Sequence, residues 1–270
     1  MDDSTPSWPN LRARFEACGA SFAFVIPVFN HARNVGAVVQ AARDSGAPVI
    51  VVDDGSTDGS AEAACAVAGT VLVRHGKNLG KGAAILTGLA SAAAPPIGAR
   101  FVVTVDADGQ HRPDEARRLL AALWPAGATR PEAALVLGAR TGMDSRAVPW
   151  SSRAGRGFSG FWVWASGGPR VSDSQSGFRV YPVAETLALA TRAHRFEFEV
   201  EVLVRARRTG LPVREVEVSV VYDPPGGRVS HFRPWRDFGR NSALFTRLIA
   251  TRFVPRWRAR AAVKGAGNGA

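Results

Sequence analysis

Five apolar, β-branched runs divide the first half of the chain, and stretches of helical spacing separate them. "SFAFVIPVF" (Ser21–Phe29) is followed by "NVGAVVQAARDSG", whose apolar residues recur on one helical face and stop at a glycine. "PVIVVDDGS", "TVLVRH", "ARFVVTVDADG" and "EAALVLGAR" repeat the theme, with "SAEAACAVAG", "KGAAILTGLASAAA" and "RPDEARRLLAAL" between them. The last of these has proline at its start, acids in its first turn and arginines later, as the helix dipole favours. Strands that are apolar throughout must be covered on both faces, so the alternation predicts an α/β fold with a mostly parallel sheet between two helical layers. Ligands of such sheets bind beyond the C-terminal strand ends.

Acids stand at those ends. "VVDDGSTDGS" closes one strand with Asp53 and Asp54, and "VTVDADGQH" closes another with Asp106, Asp108 and the amide of Gln110 at i, i+2 and i+4. A turn followed by an Asp or Ser cap accounts for Gly55 and Ser56, but not for acids on the last strand residues. A carboxylate on a sheet rim can accept from a nucleobase N–H or ribose hydroxyls. Asp106 and Asp108 repel each other unless a cation lies between them. With Gln110 they form a hard oxygen set suited to Mg²⁺ or Mn²⁺, with phosphate oxygens completing the shell. The plainer reading of an isolated Asp-x-Asp is a solvated turn. "HGKNLGKGAAILTGL" is not a P-loop: its glycine spacing is too short, and Gly82 stands where Ser or Thr is required. It reads as a glycine-rich helix start whose N–H groups, with Lys81, can attract an anion.

Two cysteines, Cys18 and Cys65, make no disulfide framework, which fits a reducing compartment. No secretory leader is read at the N-terminus, and no apolar run reaches the ~20 residues of a bilayer span. The net charge is +11, and from Arg228 onward ten lysines and arginines face a single acid, Asp237. That asymmetry points to an anionic partner or, more plainly, to a solvated basic tail. "RVSHFRPWRDF" sets Arg228, Arg233 and Arg236 around Phe232 and Trp235, a pattern compatible with single-stranded nucleic acid or with phosphates beside a membrane. The acids on the strand rim, which would repel a polyphosphate lacking metal, argue against a non-catalytic nucleic-acid binder. In "NSALFTRLIATRFVPRWRAR", Leu244, Phe245, Leu248, Ile249 and Phe253 can share a helical face among arginines. Such a helix either packs on the domain or lies on an anionic membrane surface. The domain reading is an extension over 1–20, a catalytic domain over 21–240, and a basic amphipathic helix with a disordered tail over 241–270.

The ordered set "VIPVFN", "VVDDGSTDGS", "NLGKGAAILTGL", "VDADGQHRPDE", "LGAR", "DSQSGFRVY" and "FEFEVEVL" resembles family 2 glycosyltransferases of the dolichyl- or polyprenyl-phosphate hexosyltransferase type, over roughly residues 22–225. The resemblance implies a GT-A fold, a GDP- or UDP-hexose donor, inversion at the anomeric carbon and a lipid phosphate acceptor. It implies that Pro27, Phe29, Asn30, Asp53, Asp54 and Lys81 bind the nucleotide sugar. It further implies that Asp106, Asp108 and Gln110 lie at the metal and diphosphate, and that Arg140, Arg179, Arg228 and Arg233 face donor or acceptor phosphates. A phosphate acceptor is already anionic and requires no base; a hydroxyl acceptor would require one, with Asp173 or Glu199 as candidates. The acids Glu197, Glu199 and Glu201 have a plainer reading as the wet face of an element. Where the family usually carries Tyr-Asn-Glu, this chain has Phe29-Asn30-His31, so an acid near the nucleoside is missing. A sugar-phosphate nucleotidyltransferase would need a glycine-rich loop after the first strand, and "VIPVFNHARN" has none. The expected location is the cytoplasm, peripheral on the membrane's cytoplasmic face.

Overall fold

The computed structural model describes residues 5–140, 159–219, 242 and 244–251. Seven strands form one sheet: β1 (Phe22–Val28), β2 (Val49–Asp53), β3 (Thr70–Arg74), β4 (Phe101–Thr104), β5 (Leu135–Arg140), β6 (Arg179–Pro182) and β7 (Val213–Val218). Their order is β3-β2-β1-β4-β6-β5-β7. All neighbours are parallel except β6, which runs antiparallel to β4 and β5. The chain winds outward from β1 to β3, then returns to place β4 on the other side of β1. This reversal opens a crevice at the C-terminal ends of β1 and β4.

Helices α1 (Trp8–Ala17), α2 (Ala32–Arg43), α3 (Ser60–Cys65), α4 (Lys81–Ala93), α5 (Ala116–Ala121), α6 (Val183–Ala188) and α7 (Glu197–Thr209) cover both faces. Side chains alternate across β1, so Phe22, Phe24, Ile26 and Val28 meet α1, α2 and α5, while Ala23 and Val25 meet α4 on the opposite face. Gly88 of α4 lies against Val25, where an added Cβ would come within 2.3 Å of a valine methyl.

The N-terminal segment is more than an extension, and the described part of the C-terminal helix packs on the domain, one of its two expected placements. Ser7 caps α1 by accepting from the Asn10 N–H, and Leu11 and Phe15 are buried in the core, so the segment read as an extension carries a helix of the domain itself. At the other end, Leu244, Phe245 and Leu248 in the helical residues 244–251 are buried beside α7 and Val163. Glu201, wholly buried on α7, takes Arg205 at 2.8 Å and Arg247 at 3.2 Å. Arg208 donates to the carbonyl of Leu248. Of the apolar face in the interfacial reading, Leu244, Phe245 and Leu248 are therefore covered by the domain, Ile249 is half-buried, and Phe253 lies outside the described residues. No helix among the described residues is long and apolar enough to cross a membrane.

Because Leu248 fills a closed part of this layer, Leu248→Ala should lower the free energy of unfolding by about 2–5 kcal/mol in urea titrations. Ending the chain at Asn241 should lower the urea midpoint further; an unchanged midpoint would show that the helix is not part of the core.

Candidate active site

The loops after β1, β2 and β4 are tied together by their own polar groups. Asn30 takes a left-handed conformation (φ 56°), its backbone N–H donates to Ser56 Oγ at 3.0 Å, and its side-chain oxygen accepts from the Thr57 N–H at 2.9 Å. Asn34 of α2 donates to the Asp108 carbonyl at 2.8 Å, which fixes the loop after β4. Pro27 and Phe29 are half-buried on this rim.

Asp53 and Asp54 stand where the strand pattern puts them, but they are not presented as free carboxylates. Asp53 is fully buried; it accepts from the Ser56 N–H at 2.9 Å and faces Arg74 Nε at 3.0 Å. Asp54 accepts from the N–H groups of Leu79 (2.9 Å) and Gly80 (2.7 Å) and meets His75 Nδ1 at 2.7 Å. The second acid therefore shapes the glycine-rich loop that starts α4, a use the sequence pattern does not reveal.

Lys81, the first residue of α4, sits between two acids. Its Nζ lies 2.7 Å from Asp106 Oδ1 and 2.7 Å from Glu199 Oε1. Burial alone would lower the lysine pKa, but the two carboxylates outweigh it and hold the group charged, above its ordinary range. Burial likewise pushes Asp106 up, and Lys81 more than reverses this, leaving it below the usual carboxylate range. Asp108 shifts the other way: burial and the neighbouring Asp106 charge both raise it. The close approach of the pair depends on Gly177, since a Cβ there would lie 2.5 Å from both Asp106 Oδ2 and Lys81 Nζ. Glu199 and Glu201 are buried rather than lining a wet face.

Arg140, at the end of β5, forms a two-pronged pair with Asp173: Nε to Oδ2 at 2.5 Å and Nη2 to Oδ1 at 2.9 Å. Arg179 departs from its expected role. It is 0% exposed, and its guanidinium donates to the carbonyls of Ser176 (2.6 Å), Glu199 (2.8 Å) and Ser174 (2.8 Å). It is a buried post holding the 173–177 loop to α7, not a phosphate ligand. Arg228 and Arg233 lie outside the described residues.

Asp106 and Asp108 offer hard oxygens at a partly open strand end, and the upward shift of Asp108 comes first from burial and then from the Asp106 charge. Gln110 is half-buried beside them, and its backbone N–H donates to Asp108 Oδ1 at 3.0 Å. Among the described residues no three His, Cys, Asp or Glu side chains gather to hold a metal. Asp106 and Asp108 are the hard oxygen donors of this rim that a divalent ion would take.

Residues 23–184 match the Glycosyl transferase family 2 profile. The chain belongs to that family. It is 27% identical to the UDP-N-acetylglucosamine–dolichyl-phosphate N-acetylglucosaminyltransferase of Methanococcus voltae, over 73% of this chain and 84% of that one. It is 32% identical to the polyprenol monophosphomannose synthase of Mycolicibacterium smegmatis, over 72% of this chain and 75% of that one. The M. tuberculosis glucosyl-3-phosphoglycerate synthase structure superposes with a TM-score of 0.64 at 22% identity, covering 92% of this chain and 85% of that chain. This family 2 glycosyltransferase thus has the GT-A architecture its motifs imply.

One further residue of the site went unassigned in the motif reading. His111 is buried, stacks on Phe178 at 5.2 Å, and its Nδ1 has no hydrogen-bond partner among the described residues. Burial pulls its pKa down to about 4. The folded state therefore keeps it neutral where the unfolded chain, with a pKa near ~6.5, takes a proton. Stability should fall as pH drops from about 6.5 to about 4, by up to about 3 kcal/mol from this group. His111→Phe keeps the stack and should lose less stability than the wild type over that window in urea titrations. Equal losses would show that the histidine does not contribute.

Proposed function

We propose that this family 2 glycosyltransferase moves a hexose from a GDP- or UDP-sugar to a polyprenyl-type lipid phosphate, with inversion and with the help of Mg²⁺ or Mn²⁺. The observation that carries the acceptor reading is the pairing of the two candidate bases. Asp173 is held by Arg140, and Glu199 by Lys81. A carboxylate locked to a cation is a poor proton acceptor, and a phosphate nucleophile needs none. The names of two relatives, a dolichyl-phosphate N-acetylglucosaminyltransferase and a polyprenol monophosphomannose synthase, point the same way.

In this reading Pro27, Phe29 and Asn30, with Asp53 behind them, border the nucleoside. Lys81 holds Asp106 at the diphosphate. Arg140 presents a guanidinium edge to phosphate while Asp173 fixes its plane, which sets the acceptor in line with the anomeric carbon. A divalent ion held by Asp106 and Asp108, with Gln110 nearby, would neutralise charge on the leaving diphosphate. Asp108, whose pKa is raised, also supports a second reading in which it serves as base toward a hydroxyl acceptor.

The deciding experiment incubates the protein with a panel of nucleotide sugars, Mg²⁺ or Mn²⁺, and either polyprenyl phosphate or polyprenol, and weighs the products. Sugar on the phosphate and none on the alcohol is the expected result; the reverse would establish the hydroxyl reading. Asp108→Asn should lower kcat by on the order of 10²–10³ with the fold intact, and EDTA should reproduce the loss in the wild type. Full turnover in EDTA would exclude the ion.

A further inference from the structure

The pair of Arg140 and Asp173 is held from a third position. Glu215 lies exposed on β7, the strand at the edge of the sheet beyond β5. Its carboxylate collects the donors at the start of the 172–176 loop. Oε1 accepts from the Ser172 N–H at 2.8 Å, from the Ser172 hydroxyl at 3.0 Å and from the Asp173 N–H at 3.3 Å, and Oε2 accepts from the Ser172 N–H at 3.0 Å. The carbonyls further along the loop, those of Ser174 and Ser176, are taken by Arg179. One anion thus gathers N–H groups and one cation C=O groups of a segment that belongs to no strand or helix. Asp173 lies at the anionic end, with its side chain turned to Arg140.

Strands β5 and β7 are parallel, and their register sets Leu137 opposite Glu215 and Arg140 opposite Val218. Arg140 and Glu215 are therefore three residues apart along one ladder, about 10 Å. A closed circuit results: Arg140 leaves β5 and pairs with Asp173, and the Asp173 backbone returns through Glu215 to β7. An acid exposed at a sheet edge is ordinarily a guard against edge-to-edge pairing and needs no partner. This one has a serine hydroxyl and two N–H groups on it. Placed there, its charge orients the backbone of Asp173 and leaves both Asp173 oxygens to Arg140. We propose that Glu215 is a positioning residue of the transfer reaction. Acting through the 172–173 backbone it fixes Asp173, and through Asp173 it sets the plane in which the Arg140 guanidinium meets the acceptor phosphate. The meeting with a phosphate rests on the lipid-phosphate reading above; the setting of the guanidinium does not.

The test compares Glu215→Ala and Glu215→Gln in the full chain, with polyprenyl phosphate and the nucleotide sugar that the donor panel selects. Glu215→Ala should raise KM for polyprenyl phosphate on the order of tenfold, with KM for the nucleotide sugar and the melting temperature unchanged. Glu215→Gln keeps an acceptor oxygen for Ser172 and should stay near the wild type. Added to Asp173→Ala, the Glu215→Ala change should cost nothing further, because its effect travels through that carboxylate. An unchanged acceptor KM, a loss as large in the Asp173→Ala background as in the wild type, or a parallel loss of donor binding would overturn the proposal. The Arg140 Nε–H resonance in ¹H–¹⁵N spectra, identified with Arg140→Lys, reads the positioning without any acceptor. It should exchange with water on the order of tenfold faster in Glu215→Ala and stay near its wild-type rate in Glu215→Gln; an unchanged rate in Glu215→Ala also overturns the proposal. If the wild type glycosylates no polyprenyl phosphate, it is the acceptor reading that fails, and the exchange rate by itself decides whether Glu215 positions Arg140.

Discussion

The half-buried ammonium of Lys81 holds the two halves of the chain in one site. It is the first residue of α4, and its two acid partners come from the end of β4 and the first turn of α7. An unpaired charge in this largely enclosed position would be unfavourable, and more so for the buried Glu199 than for Asp106, which is partly open to solvent. The backbone makes room for the arrangement. An added Cβ on Gly82 would meet the Cβ of Phe198 at 2.4 Å, so only glycine lets α4 approach α7 closely enough for Glu199 to reach the lysine. Gly177 performs the same service on the other side.

This arrangement divides the charges of the Asp-x-Asp loop into unequal members. Asp106 is paired directly with Lys81, whereas at Asp108 burial and the Asp106 charge outweigh the opposing effects of the Gln110 N–H and of Lys81. A second cation arriving with a diphosphate would meet one carboxylate already oriented and one whose ionisation it favours. The buried guanidinium of Arg179 contributes by stiffening the frame: by bonding three carbonyls it ties the loop bearing Asp173 and Gly177 to the start of α7. The paired Arg140 and Asp173 are thereby set on a rigid support rather than on a free loop.

Much of this was legible from one chain. Uninterrupted β-branched runs demand cover on both faces, so the parallel core of the sheet and the placement of Asp53, Asp54, Asp106 and Asp108 on its rim follow from pattern alone. The partners of those acids do not. The segment Glu197-Phe198-Glu199-Val200-Glu201 alternates with a period of two, the signature of a half-wet strand, yet it is the start of α7, where Glu199 points away from its two neighbours and all local cues to its burial vanish. The family resemblance implied a phosphate role for Arg179; that its guanidinium instead satisfies carbonyls of an irregular loop and of α7 depends on a tertiary contact no local window contains. The N-terminal helix went unread, and the choice between the two placements of the C-terminal helix stayed open, for a related reason: the groove that receives Leu11, Phe15, Leu244 and Leu248 is not visible in the segments themselves.

The reversed strand β6 has a consequence for how the enzyme comes into being. Because it runs opposite to β4 and β5, the loop that precedes it, not one that follows it, delivers Asp173 and Gly177 to the catalytic rim. Lys81 and Asp106 are synthesised long before Gly177 and Glu199, so a nascent chain carries the lysine and its first carboxylate without the groups that complete their enclosure. Strand pairing across such sequence distances is slow and costs loop entropy before it is rewarded. The enclosure of the site thus depends on contacts between the first and second halves of the chain, and no fragment that ends before Glu199 can hold Lys81 between its two acids.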